Sequence, residues 1–200
     1  MNAALRTLAA LSALALMAGS ANATLLTPTG VVASSFSGSG NEAINTINGS
    51  GLNAPFDETA THEVHNYWQG GVPGVGTTIT FDLGSEYDLL GTWIWNYNNH
   101  DSSPRGMTIF DIYIGGSADP TASTLLVDDA EISQNSIGVP NTAEFEAIVA
   151  SNVQYVKFVS EATGANDRIG LGEVRFVQVP EPSSLALLGL GGLLIARRRR

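Results

Sequence analysis

The sequence predicts an all-β domain, folded as a two-sheet β-sandwich or jelly roll, between two terminal segments that are not part of it. Five segments are rich in β-branched and aromatic residues, and clusters of Gly, Asn, Asp, Ser and Pro separate them. No helical period outside the termini is long enough to cover a sheet face, so two packed sheets bury the apolar surface most economically. The strand segments are residues 77–83, 89–97, 107–115, 153–160 and 171–179.

Alternation along these segments indicates which side chains face the core. Phe110, Ile112 and Ile114 are spaced by two and therefore lie on one face of their strand. Trp93 and Trp95 share a face for the same reason. We expect both tryptophans to pack inside the domain rather than to bind a ligand.

Residues 1–23 are predicted to be a signal peptide with a helical apolar part. Arg6 gives the positive start, residues 8–17 are apolar and uncharged, and Ala21-Asn22-Ala23 places small residues where signal peptidase cleaves. Cleavage after Ala23 would export a chain whose predicted domain covers residues 24–178.

Residues 179–200 are typical of a second processed segment. The apolar stretch 185–196, as a short hydrophobic helix, would be about 18 Å long, whereas the hydrocarbon core of a bilayer is about 30 Å thick. The arginines at the end would stop translocation and stay on the cytoplasmic side, and each proline favours an extended chain before it. We predict transient insertion into the inner membrane; a permanent membrane helix is the alternative.

This tail resembles the PEP-CTERM sorting signal of Gram-negative bacteria. The resemblance implies recognition by an exosortase, removal of the tail, and delivery to the cell surface or to the extracellular exopolysaccharide matrix. The residues that carry it are Pro180, Glu181, Pro182, Arg197, Arg198, Arg199 and Arg200.

Charge and composition restrict the partners. Five of the nine basic residues are Arg6 and the four C-terminal arginines, so residues 24–196, which still include Glu181 of the tail, have 4 basic residues against 19 acidic ones, a net charge of −15. Such a surface repels nucleic acid and anionic lipid. Its carboxylates could bind calcium; the alternative is that they only keep the protein soluble. The chain has no cysteine, which excludes disulfides, thiol catalysis and cysteine-based zinc sites.

The domain resembles a discoidin or coagulation-factor C-type domain of the galactose-binding-like superfamily. Three segments carry the resemblance: residues 79–98, 105–115 and 153–177. The opening of the family is matched by residues 33–52, followed by His62 or His65 and then by Trp68. It implies an eight-stranded jelly roll, often a non-catalytic glycan-binding module and often with one structural calcium.

The resemblance places the calcium between an early turn and the last strand. The turn is Asn48-Gly49-Ser50, and the late carboxylate is Glu173. Asn48 stands where calcium-containing relatives have Asp, which removes a charge and should weaken calcium affinity; an ordinary Asn-Gly turn without an ion is the alternative. Residues 128–131, a second acidic cluster, are predicted to form a solvated bend.

A glycan site needs an aromatic ring for the apolar face of a sugar and polar side chains for its hydroxyl groups. Loop residues that offer this chemistry are Tyr67, Trp68, Asn98, His100 and Arg105. For Arg105 the alternative is a structural ion pair with an acidic neighbour such as Asp101, and Trp68 could equally close one end of the sandwich.

No pattern predicts catalysis. His62 and His65 lack the spacing of a zinc-protease helix, and no serine lies in a nucleophile elbow. The sequence therefore predicts an exported, non-catalytic protein that binds exopolysaccharide or another glycan, after processing by signal peptidase and an exosortase. A structural matrix protein without a specific ligand is the second hypothesis, and a carbohydrate-active enzyme is the third.

Overall fold

The computed structural model describes residues 24–54, 59–63, 66–97, 104–134, 139–162 and 164–179, and nearly all of them are strands and connecting loops. Both predicted terminal segments lie outside these residues, apart from Val179. Within the described ranges, no helix is long and apolar enough to cross a membrane. The strands are β1 (Thr24–Leu26), β2 (Gly30–Ala33), β3 (Thr61–His62), β4 (Trp68–Gln69), β5 (Thr78–Asn96), β6 (Ile109–Gly115), β7 (Thr124–Glu131), β8 (Asn141–Thr142), β9 (Glu144–Ser160) and β10 (Gly170–Gln178), with 3₁₀ turns at Ala43–Thr46 and Ala165–Asp167.

The strands of the main sheet follow the order β1-β10-β5-β9-β6-β7, with β2 added to β5 and β4 to β10. Neighbours from β10 to β7, and both added strands, pair antiparallel. A separate two-stranded ribbon joins β3 to β8. The all-β prediction is confirmed, and each of the five predicted segments lies largely within a strand.

Strands β5 and β9 are long, and each belongs to both layers of a sandwich. The first half of β5 pairs with β2 and with the second half of β9, whereas its second half pairs with β10 and with the first half of β9. The register between them breaks after Asp82, where Gly84 has φ +84° and Asn152 on β9 has φ +57°. Glycine and asparagine tolerate this left-handed conformation, so both strands can bend together.

The core lies between the two layers. Phe81 of β5 contacts Phe158 of β9 in its own layer and Phe176 of β10 in the other, with ring centroids 5.3 and 5.6 Å apart. Phe110 and Ile112 of β6 are fully buried, as their alternation predicted.

The outer face of β5 and β10 is also largely covered. Trp95 is fully buried there, and its Nε1 donates to the carbonyl of Ala60 at 2.8 Å. Trp93, on the same face, is half-buried against Phe145, with ring centroids 5.0 Å apart. The loops between β2 and β4 therefore add a further layer over one half of the sandwich.

Candidate functional site

One end of the sandwich brings together loops from distant parts of the sequence, and we call it the loop end. It is formed by Tyr97 at the end of β5, residues 104–106 before β6, and residues 164–170 leading into β10. Gly106 and Gly170 form a parallel bridge, and Met107 N–H donates to the Gly170 carbonyl at 3.1 Å. A Cβ on Gly170 would lie 2.4 Å from the Tyr97 ring, so glycine is required for this approach.

Tyr67 and Tyr97 form an aromatic pair at the loop end. Their ring centroids are 4.4 Å apart with an interplanar angle of 57°. Tyr67 is 9% exposed and Tyr97 3% exposed, so neither ring offers an open face for a sugar to stack on. Tyr97 is a site residue that the sequence-based prediction missed, because it was assigned to the strand segment that ends there.

Trp68 is not available as a sugar platform, and this prediction is wrong. The side chain is 0% exposed, packs in the core, and donates from Nε1 to the Ser35 carbonyl at 3.0 Å. Because Trp68 pairs with Leu171 in the sheet, the pairing of β4 with β10 places the ring inside.

Arg105 lies at the loop end, half-buried, beside the 164–168 segment. A Cβ on Gly164 would lie 2.5 Å from Arg105 Cα and 2.9 Å from the Arg168 carbonyl, so the two arginines start from adjoining backbone. Arg105 Nε is buried and has no hydrogen-bond partner among the described residues. Arg168 is half-buried and was not among the predicted site residues.

Asn98 and His100, the remaining predicted glycan ligands, lie outside the described residues. They follow Tyr97 closely in the sequence, and their part in a site stays a prediction.

Glu173 and Arg175 form a buried ion pair on the covered face of β10. Both are 0% exposed, and Arg175 Nη1 contacts Glu173 Oε1. Gly49 N–H also donates to the Glu173 carboxylate, at 3.0 Å to Oε2 and 3.3 Å to Oε1. Burial raises the pKa of Glu173 to about 7, although the charge of Arg175 and the Gly49 N–H favour the ionised form.

The predicted calcium ligands do not fit a calcium ion in this arrangement. Calcium takes about six to eight oxygen ligands, but both Glu173 oxygens accept from donors and Asn48 Oδ1 accepts from Ser50 N–H at 2.9 Å. The positive charge beside the carboxylate is already supplied by Arg175. The turn is therefore tied to β10 through Gly49 without an ion.

A second group of carboxylates could hold a metal ion. Asp111, Asp128 and Asp129 have carboxylate oxygens within 4.8 Å of one another; Asp111 is buried and the other two are exposed. Asp129 N–H donates to Asp111 Oδ1 at 3.1 Å, with φ +54° at Asp129. The prediction that residues 128–131 form a solvated bend is wrong, because they belong to β7 and pair with β6; it also missed Asp111, which comes from that neighbouring strand.

His62, the histidine that the described part of the chain contains, belongs to β3 of the ribbon, and its side chain is buried. Its Nε2 lies 3.2 Å from the Asn66 carbonyl oxygen, and burial lowers its pKa to about 4. A neutral, enclosed imidazole does not have the access that a general base needs.

Comparison with known proteins identifies the tail first. Residues 178–200 match the model of the PEP-CTERM protein-sorting motif. The chain carries a PEP-CTERM sorting signal. The signal implies export and processing of the C-terminus by an exosortase. No curated protein matches the chain by sequence.

Solved structures identify the domain as a jelly roll like those of CBM32 carbohydrate-binding modules. The CBM32 of AlyQ, in complex with 4,5-unsaturated mannuronic acid, has a TM-score of 0.52 and 25% identity, over 76% of this chain and 97% of that one. The family 32 module of NanJ from C. perfringens, in complex with galactose, has a TM-score of 0.52 and 12% identity, over 78% and 100%. Chitosan-binding module 1 from a chitosanase/glucanase of Paenibacillus sp. IK-5 has a TM-score of 0.51 and 16% identity, over 76% and 95%.

Proposed function

We propose that this chain is an exported, non-catalytic carbohydrate-binding protein whose loop end binds glycan at the cell surface or in the exopolysaccharide matrix. The observation that carries the proposal is a CBM32-like domain joined in one chain to a PEP-CTERM sorting signal. The AlyQ module, 25% identical over nearly its whole length, is in complex with a sugar acid. This supports a saccharide as the class of ligand.

The loop end supports a shallow site. Arg105 is half-buried, and the neighbouring Gly106 bridges to Gly170, whose backbone lies against the Tyr97 ring. Asn98 and His100 remain candidates that would add polar contacts to sugar hydroxyl groups. Because such contacts are few, single-site affinity is weak, and retention on a polymer depends on many copies acting together.

The test is retention of the exported protein on polysaccharide from the producing cells and on a panel of purified glycans. Wild-type protein is expected to bind saturably, and Arg105→Ala to lose most of the retention. Lys157→Ala is the matched control, because Lys157 Nζ donates to the Thr121 carbonyl at 2.9 Å, away from the loop end. An absence of saturable binding to every glycan would favour a structural matrix protein without a specific ligand.

The same samples test the enzyme hypothesis. Incubation with each polysaccharide should release no new reducing ends. Release that follows the protein through purification, and disappears when a carboxylate is replaced, would overturn the non-catalytic assignment.

A further inference from the structure

The distribution of positive charge at the loop end points to the class of glycan. The exported part has only four basic residues, and two of them are engaged elsewhere in the domain. Arg175 is paired with Glu173 in the interior, and Lys157 binds the Thr121 carbonyl with its Nζ 4.8 Å from the centroid of the Tyr113 ring. The remaining two, Arg105 and Arg168, lie together at the loop end.

Neither of these arginines has an acidic partner among the described residues. In that part of the chain, no ion pair or side-chain hydrogen bond involves Arg105 or Arg168, although residues 24–178 contain 18 acidic side chains. Arg105 Nε is buried and has no acceptor among the described residues, so it loses hydration without compensation. Arg168 is half-buried on the adjoining backbone, so oxygen acceptors from a ligand at this place would complete the hydrogen bonding of Arg105 and add a second cation to the contact.

The backbone around Arg168 is held in an uncommon conformation that fixes its position. Asn166 and Asp167 have φ values of +58° and +56°, and the chain returns so that Gly164 N–H donates to the Arg168 carbonyl at 2.9 Å. Two consecutive non-glycine residues in the left-handed region cost conformational energy and occur where the surroundings enforce them. The parallel bridge from Gly106 to Gly170 then holds the two arginine segments side by side.

We propose that the loop end recognises an acidic glycan, one whose uronate carboxylate binds Arg105 and Arg168. Guanidinium groups match a carboxylate with paired, charge-assisted hydrogen bonds, which neutral hydroxyl groups do not provide. The overall negative charge does not prevent this, because at physiological ionic strength charges more than about 8 Å away are largely screened. The proposal rests on the proposed function, since it names the ligand class of the same site.

The experiment uses the exported protein and two matched probes: an oligogalacturonate, and the same oligosaccharide with its carboxyl groups reduced to hydroxymethyl groups. Calorimetry is expected to give affinity at least about tenfold higher for the acidic form, the effect of one charge-assisted hydrogen bond. Arg105→Gln and Arg168→Gln are each expected to lower affinity about tenfold for the acidic probe and little for the reduced one. Lys157→Gln, which removes the same charge elsewhere, is expected to leave both affinities unchanged.

The outcomes separate this inference from the proposed function. Equal affinity for the two probes, or binding only to neutral glycans on the panel, would overturn the acidic ligand class and leave the glycan-binding function standing. Absence of binding to all glycans would overturn both. The comparison of the two probes uses wild-type protein only. It therefore tests the acidic ligand class even if an arginine variant does not fold. Asp167→Asn, which removes the acid adjacent to Arg168, is expected to raise affinity for the acidic probe.

Discussion

The buried His62 makes the stability of the domain depend on pH, and the size of the effect can be worked out. The imidazole is 0% exposed, and a Cβ on Gly51 would lie 2.1 Å from its Nε2, so the ring fills the space above that glycine. Burial disfavours the charged form and lowers the pKa of His62 to about 4, whereas an exposed histidine has a pKa of 6.5.

Between these two values the unfolded chain binds a proton that the folded domain does not. Stability contributed by neutral His62 is therefore complete above pH 6.5 and falls as the pH drops towards 4. At pH 5 the unfolded histidine is mostly protonated and the folded one mostly neutral. The loss between pH 7 and pH 5 is about 2 kcal/mol, from the rule that one pKa unit is worth about 1.4 kcal/mol.

Urea unfolding, followed by tryptophan fluorescence at pH 7 and pH 5, measures this loss. Glu173 acts in the opposite direction, because its raised pKa of about 7 makes the folded domain bind the extra proton as the pH falls. The comparison must therefore be between wild type and His62→Gln, in which the contribution of Glu173 is common to both. Wild type is expected to lose about 2 kcal/mol more than the variant on acidification. An equal change in both proteins would show that His62 takes up a proton in the folded state and would refute the reasoning.

The remaining predictions concern the ion pair, the loop end and the tail. Arg175→Met should lower the free energy of unfolding by about 3–5 kcal/mol, because it leaves the buried Glu173 without a cation beside it and with only the Gly49 N–H; adding Glu173→Leu should recover most of the loss in the same urea assay. With Asp128→Asn and Asp129→Asn in place, which removes two carboxylates of the acidic cluster, the melting temperature should be the same in calcium and in EDTA, whereas a rise with calcium would contradict the poor fit of the early turn. Gly170→Ala should cost about 1–3 kcal/mol by overpacking against Tyr97; an unchanged melting temperature in calorimetry would contradict the close approach. Glu181→Ala should leave the C-terminal tail attached, as an unprocessed mass in the membrane fraction; normal processing would contradict a role for Glu181.

The sequence allowed prediction of those strands in which buried and exposed side chains alternate. Residues 107–115 alternate because β6 has one face in the core, and that pattern is visible in the sequence. Strand β7 was missed because it reads Thr-Leu-Leu-Val-Asp-Asp-Ala-Glu and is largely exposed, so it shows no regular alternation. The first half of β9 was missed for a related reason. It begins with glutamates, and its apolar residues Phe145 and Val149 are exposed. Among the described strands it lies at the edge of its layer, so its sequence does not alternate between buried apolar and exposed polar residues.

The candidate site was harder to predict because it depends on pairings between distant strands. Tyr67 and Trp68 are neighbours in the sequence and both follow loop residues, yet one reaches the loop end and the other is enclosed by the core. Arg168 is more than sixty positions from Arg105, and only the bridge between Gly106 and Gly170 brings their segments together. The scarcity of basic residues could have indicated the two arginines, since two of the four basic residues of the exported part lie in loop segments close to a glycine.

The ion pair of Glu173 and Arg175 shows why the role of a residue in a related family cannot be assigned to this chain without considering the adjacent side chains. The resemblance drew attention to one carboxylate on the last strand and assigned it to calcium. Two residues further along, Arg175 must lie on the same face of β10, because side chains in a strand alternate. A buried carboxylate then has a guanidinium beside it, and breaking such a pair costs more than an exposed pair contributes. The spacing Glu-Val-Arg in a strand with both flanks apolar was therefore sufficient to predict the pair, and with it a domain that is held together at this point by its own cation.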